Sequence, residues 1–127
     1  MVDYVEVPST NYAGVAWDAF GGAPDPTVNL YAGTSDAVDG TLNLPDDVFA
    51  GSPRTVIASN LRASDILAYL AFGVFDEDVS DFEFIGACYV SGVGSSTFSG
   101  GAVSVDCPPD AGREASGFAL DFHLEPY

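Results

Sequence analysis

The chain has 127 residues, with 19 acidic side chains against three arginines and no lysine, a formal charge of −16 at pH 7. That balance excludes nucleic acid as a partner, because binding phosphates needs Lys and Arg to release counterions. It also argues against direct attraction to anionic lipid. With 47% apolar and 13% aromatic residues, the chain can bury a core and is not a disordered polyanion. Its length suits one domain over residues 1–127.

Fourteen glycines and eight prolines suit short strands joined by turns. In chain order, the first strand is expected at Tyr12–Trp17, with Trp17 in the core. Pro26–Tyr31 alternates with Val28 and Leu30 on one face and reads as a strand. Residues 32–53 form a turn-filled connection that contains the strand Gly40–Leu44. Arg54–Ala58 is a further strand. Leu61–Leu67 reads as a short helix, capped by Ser64 or Asp65, or as another connection. Tyr69–Phe75 is the most apolar run and should be a central strand, and Phe84–Val90 is the next. Residues 92–101 read as a flexible turn. Ala102–Cys107 and Phe118–Leu124 alternate and close the sheet, with Pro108–Glu114 as the loop between them. Seven or eight short strands and almost no helix predict an antiparallel β-sandwich.

The two cysteines, Cys88 and Cys107, form no Cys-x-x-Cys pair, and His123 is the single histidine, so zinc is not expected. Two buried thiols or one disulfide remain; both residues lie on strands, which favours the disulfide. A disulfide implies an oxidising, extracellular or cell-surface location. Met1–Glu6 has neither a basic start nor an apolar stretch, so a mature exported segment with an added initiator Met would reconcile the two. No stretch approaches the roughly 18 consecutive apolar residues of a membrane span. His123, between Phe122 and Leu124, is read as a solvated residue on the last strand.

Two acidic segments stand out. One runs from Trp17 to Pro26 and contains Asp18 and Asp25. The other runs from Phe75 to Gly86 and contains Asp76, Asp78, Asp81 and Glu83. Each follows an apolar strand. Carboxylates gathered that closely repel one another unless a hard cation lies between them, which makes calcium the sharpest ligand hypothesis. The EF-hand template does not fit: it needs Gly where Asp81 stands and an acid where Ala87 stands.

The pattern resembles the C2 domains, the calcium-dependent phospholipid-binding sandwiches. One loop of that family carries an Asp, a Gly-containing turn and then Asp-Pro before a strand, similar to Asp18 and Asp25-Pro26-Thr27-Val28. A second reads Asp-x-Asp, an acid, two residues and Gly, similar to Asp76, Asp78, Glu83, Phe84, Ile85 and Gly86. Thr41-Leu42-Asn43 followed by Pro45, with Val48-Phe49 after it, is similar to a third family stretch. The resemblance covers roughly residues 12–90. The two loops depart from common family lengths by one residue each, which makes Asp81 an alternative to Glu83. The basic strand used for inositol lipids is missing.

The resemblance implies that Asp18, Asp25, Asp76, Asp78 and Glu83 or Asp81 are calcium ligands. The main-chain carbonyls of Trp17 and Glu77 would help. It also implies a calcium bridge to a phospholipid surface or a protein partner, with Phe20 and Phe82 at the loop tips. Two other readings compete. In one, the acids confer solubility, or suit a high-salt habitat, on a structural, adhesive or self-assembling sandwich. In the other, exposed aromatics such as Tyr31, Tyr69 or Tyr127 bind carbohydrate. An enzyme is not expected: a Ser-His-Asp triad would have to use His123, and no Gly-x-Ser-x-Gly elbow is present.

Overall fold

The computed structural model describes residues 1–15, 17, 23–44, 49–77 and 82–125, with the side chain of Phe82 excluded. Eight strands form two four-stranded antiparallel sheets. The first sheet has the order β4–β1–β8–β7, from Ala50–Gly51, Val2–Glu6, Phe118–Phe122 and Val103–Cys107. The second has the order β3–β2–β5–β6, from Gly40–Asn43, Pro26–Ala32, Leu70–Glu77 and Phe82–Tyr89. Hairpins join β2–β3, β5–β6 and β7–β8 within sheets, and the other connections cross between sheets.

Alternation explains why these segments pair. In β8, Phe118, Leu120 and Phe122 are buried, with Ala119 and Asp121 between them. In β5, Leu70, Phe72 and Val74 point into the same core, and in β2 Val28 and Leu30 do so. The inner faces interdigitate in one apolar cluster. Trp17 joins it, and its indole Nε1 donates to the Pro8 carbonyl at 2.8 Å. The disulfide is present: Cys88 on β6 is bonded to Cys107 on β7. It fastens the two sheets where each has its last strand.

The structure corrects several expected elements. The first strand is Val2–Glu6, not Tyr12–Trp17. A bulge between Val2 and Tyr4 shifts the pairing with β8, so the inward residues are Val2 and Val5 and simple alternation fails. Near Tyr12 the chain turns instead: Asn11 Oδ1 accepts from the N–H groups of Ala13 and Val15 at 2.9 and 3.1 Å. That local capture competes with any ladder. Arg54–Ala58 makes only an isolated bridge, Val2 with Thr55, because Arg54 adopts a left-handed backbone that breaks an extended run. The short helix α1 is Ala63–Ala68, with Arg62 at its N-cap and no side-chain cap, so neither Ser64 nor Asp65 has that role. Residues 92–101 contain a second short helix, α2, Ser95–Phe98. Loop 108–114 includes a 3₁₀ turn at Ala111–Arg113, capped by Asp110.

His123 is less solvated than expected. Its Nδ1 lies 2.7 Å from Asp3 Oδ2 and its Nε2 3.1 Å from Glu125 Oε1, and its side chain is 24% exposed. The hydrogen bond to Asp3, then that to Glu125, raises its pKa above 6.5. A raised folded-state pKa means the folded state binds the proton more tightly. The resulting stabilisation is complete below about pH 6.5 and is lost as pH rises through the folded value. Half-exposed pairs contribute at most about 1 kcal/mol. The melting temperature of the wild type should therefore fall by about 1–3 °C more than that of His123→Gln between pH 6 and pH 9. Both proteins carry the same Met1 amine, so the difference isolates the imidazole. Parallel pH profiles would show that the two carboxylate contacts do not bind the proton.

Candidate functional site

The site grows out of the inward alternation of β5. After Leu70, Phe72 and Val74, the next residue on that face is Asp76, which is 1% exposed. A carboxylate taken out of water needs polar partners. One is the main-chain N–H of Asp25, which donates to Asp76 Oδ1 at 2.8 Å. Charge-assisted bonds of this kind are among the stronger ones. The Asp25 carbonyl in turn accepts from the Glu77 N–H at 3.0 Å. The Asp25-Pro26 step is thus held against β5 from both sides. Pro26, first residue of β2, lacks an N–H, as a strand's opening position tolerates.

Register supplies the third acid. Pro26 lies opposite Asp76, and Asp76 lies opposite Glu83 across the β5–β6 hairpin. Directly opposed residues share a face, so Glu83 falls on the side of Asp76. Glu83 Oε1 accepts from Asn11 Nδ2 at 3.1 Å. The turn that displaces the expected first strand therefore places Asn11 at this end of the sheet. Segments around Asn11, Asp25, Asp76 and Glu83 meet there, although up to 72 positions separate them in sequence.

Glu77 follows Asp76 but belongs to the other face, since strand side chains alternate. Its Oε2 lies 3.1 Å from Thr27 Oγ1, which is also 3.0 Å from Asn43 Oδ1. A hydroxyl has one proton to give. It serves the carboxylate of Glu77 when the Asn43 amide is turned so that its nitrogen donates to Thr27.

Of the expected ligands, the structure brings Asp25, Asp76 and Glu83 to one sheet end. Asp18, Asp78 and Asp81 lie outside the described residues, as does Phe20. Phe82 begins strand β6 opposite Glu77 rather than standing at a loop tip. Among the described residues, no three His, Cys, Asp or Glu side chains form a ready ion-holding group. Asn11 and Thr27 were missed as neighbours of the site. Asn11 had a signal, an Asn three residues before a Gly, which favours a side-chain-closed turn. Thr27 had none, because its role depends on register. No family model matches the chain, and comparison with curated proteins gives no significant match.

Proposed function

We propose that the protein is a calcium-binding, C2-like sandwich module of an exported or surface-attached protein. The observation that carries this reading is the Pro26–Asp76–Glu83 register, which gathers acids from two sequence-distant segments at one sheet end. Carboxylates so placed repel one another, and an oxygen-seeking divalent cation relieves the repulsion. Asp76, buried and oriented by the Asp25 N–H, is the anchoring ligand in this reading. Asp25 and Glu83 come to the same sheet end, and in this reading Asp18 and Asp78, with Asp81 as the alternative to Glu83, would complete the shell with the main-chain carbonyls of Trp17 and Glu77. The ion would bridge to a phospholipid phosphate or to an acidic partner surface, a route that needs no basic residue. Phe20 would provide the apolar contact. The disulfide supports an oxidising compartment.

Affinity on the order of 10⁻⁵ to 10⁻³ M is expected for such a module. A tenfold excess of calcium over Kd stabilises the folded state by about 1.4 kcal/mol. That is roughly 5 °C for a chain of this size. Thermal melts with calcium, with magnesium, with sodium chloride at equal ionic strength and with chelator test this. A calcium-specific rise that Asp76→Asn removes is the expected result. Equal responses to all three salts would reduce the acids to charge screening and favour a structural or adhesive sandwich.

A further inference from the structure

The outer face of the β3–β2–β5–β6 sheet carries a second arrangement, bordered at one end by Glu77, whose Oε2 lies 3.1 Å from Thr27 Oγ1. Tyr31, Ala71 and Tyr89 lie in one row across three strands. Two residues along, Asn29, Gly73 and Ala87 form the next row, with Thr41 beyond Asn29. Then come Thr27, Phe75 and Phe84. At about 3.3 Å per residue, the two aromatic rows stand roughly 13 Å apart. Tyr69, just before β5, packs edge-on against Tyr89 with ring centroids 5.0 Å apart, and Phe75 meets Phe84 at 5.6 Å.

Part of this is ordinary sheet packing. A Cβ on Gly73 would lie 3.3 Å from the Phe75 ring and 3.5 Å from the Tyr31 ring, so both rings lean over the glycine and shield its backbone. That account does not extend to Tyr89, which is 71% exposed, nor to the Tyr69 ring held against it. Burial and the neighbouring Tyr89 hydroxyl hold the Tyr69 phenol above its ordinary pKa.

We propose that this face binds an uncharged polysaccharide, with the sugar rings stacked on Tyr31, Tyr89 and the Phe75–Phe84 pair. Charge selects the occupant. The chain carries −16, yet none of the residues in these rows is Asp, Glu, Lys or Arg. A second copy would bring another −16 towards the first and be repelled. A cationic partner would be drawn to the acidic sheet end, where Asp76 and Glu83 lie and Glu77 borders this face, rather than to the uncharged rows. A neutral sugar chain meets neither obstacle. Its C–H bonds, slightly positive, face the negative face of an aromatic ring. Its hydroxyls have partners in the phenol groups of Tyr31 and Tyr89 and in Asn29, whose Oδ1 accepts from Thr41 Oγ1 at 2.9 Å. Tyrosine suits this work because it offers a large amphipathic surface with little side-chain entropy to lose.

The test is native-gel affinity electrophoresis of the full chain in gels containing hydroxyethyl cellulose, xylan, mannan, soluble starch or a β-1,3-glucan. At least one should retard the wild type. Tyr89→Ala should weaken the retardation at least tenfold, while Tyr89→Phe keeps most of it. Chelator, 0.5 M sodium chloride and Asp76→Asn should leave it unchanged, which separates this face from the calcium reading. Tyr89 is exposed, so its alanine variant should melt within a few degrees of the wild type. The proposal is overturned if no polymer in the panel retards the protein, or if retardation survives Tyr89→Ala combined with Tyr31→Ala. It is also overturned if light scattering shows concentration-dependent self-association that Tyr89→Ala abolishes, because the face would then belong to a second copy.

Discussion

Replacing Gly117 with alanine should destabilise the protein by about 3 kcal/mol or more, through two separable causes. Gly117 has φ +83°, a left-handed backbone that an L side chain enters at a cost of about 1–2 kcal/mol. A Cβ there would also lie 2.5 Å from the Cys107 carbonyl oxygen, 2.8 Å from Pro109 N and 2.9 Å from Pro108 C. All three are main-chain atoms, so no side-chain rotation makes room. The strain falls where the residues leading into β8 are hydrogen-bonded to β6 of the other sheet. The N–H groups of Ser116 and Gly117 both donate to the Ile85 carbonyl, at 2.8 and 2.9 Å. Ile85 is available because the β5–β6 register shifts there: Val74 faces Gly86, and Phe75 faces Phe84. On β6, a Cβ at Gly86 would meet the Phe118 ring at 3.1 Å. Gly92→Ala is the control, since Gly92 has φ +75° but nothing within 4 Å of the added carbon. It should cost only the conformational part, about 1 kcal/mol. Urea unfolding of both variants measures the difference. Equal losses would mean that the contact with Cys107 relaxes freely.

Removing the disulfide by the Cys88→Ala and Cys107→Ala pair should lower the melting temperature by about 10 °C. The bond spans a sequence separation of 19, and closing a loop of that size in the unfolded chain corresponds to about 3 kcal/mol. With an unfolding entropy of about 2.1 cal/mol/K per residue, that gives the shift quoted. The bond lies at one seam: β6 and β7 are the last strands of their sheets, and Cys107 is buried in the core. Losing it frees two edges at once. Reductant added to the wild type should produce the same shift, and added to the double variant none. An unchanged wild-type melt in reductant would show that sheet packing alone holds this seam.

Where the chain follows a period of two, the sequence already contained the answer. Phe118–Phe122, Val103–Cys107 and Pro26–Ala32 are strands because alternate side chains are apolar, and Leu70–Glu77 because its run is almost wholly apolar; both patterns are local. The disulfide was legible because both cysteines fall on expected strands, Cys107 on the alternating Val103–Cys107 and Cys88 on the strand that follows the most apolar run. The acids were legible as acids, and the alternation of β5 even implies that Asp76 follows Leu70, Phe72 and Val74 inward. Val2–Glu6 was not legible, because a bulge breaks its alternation, and neither was the Asn11 turn. Tertiary structure alone decided which strands are neighbours and in what register. One residue of slip would turn a strand's side chains to the opposite face, and only packing of the whole inner face against the other sheet prevents it. That register places Glu83 opposite Asp76 and lines up Tyr31 with Tyr89 across Ala71. Both functional proposals depend on cross-strand alignments of this kind, and no local stretch of the chain encodes them.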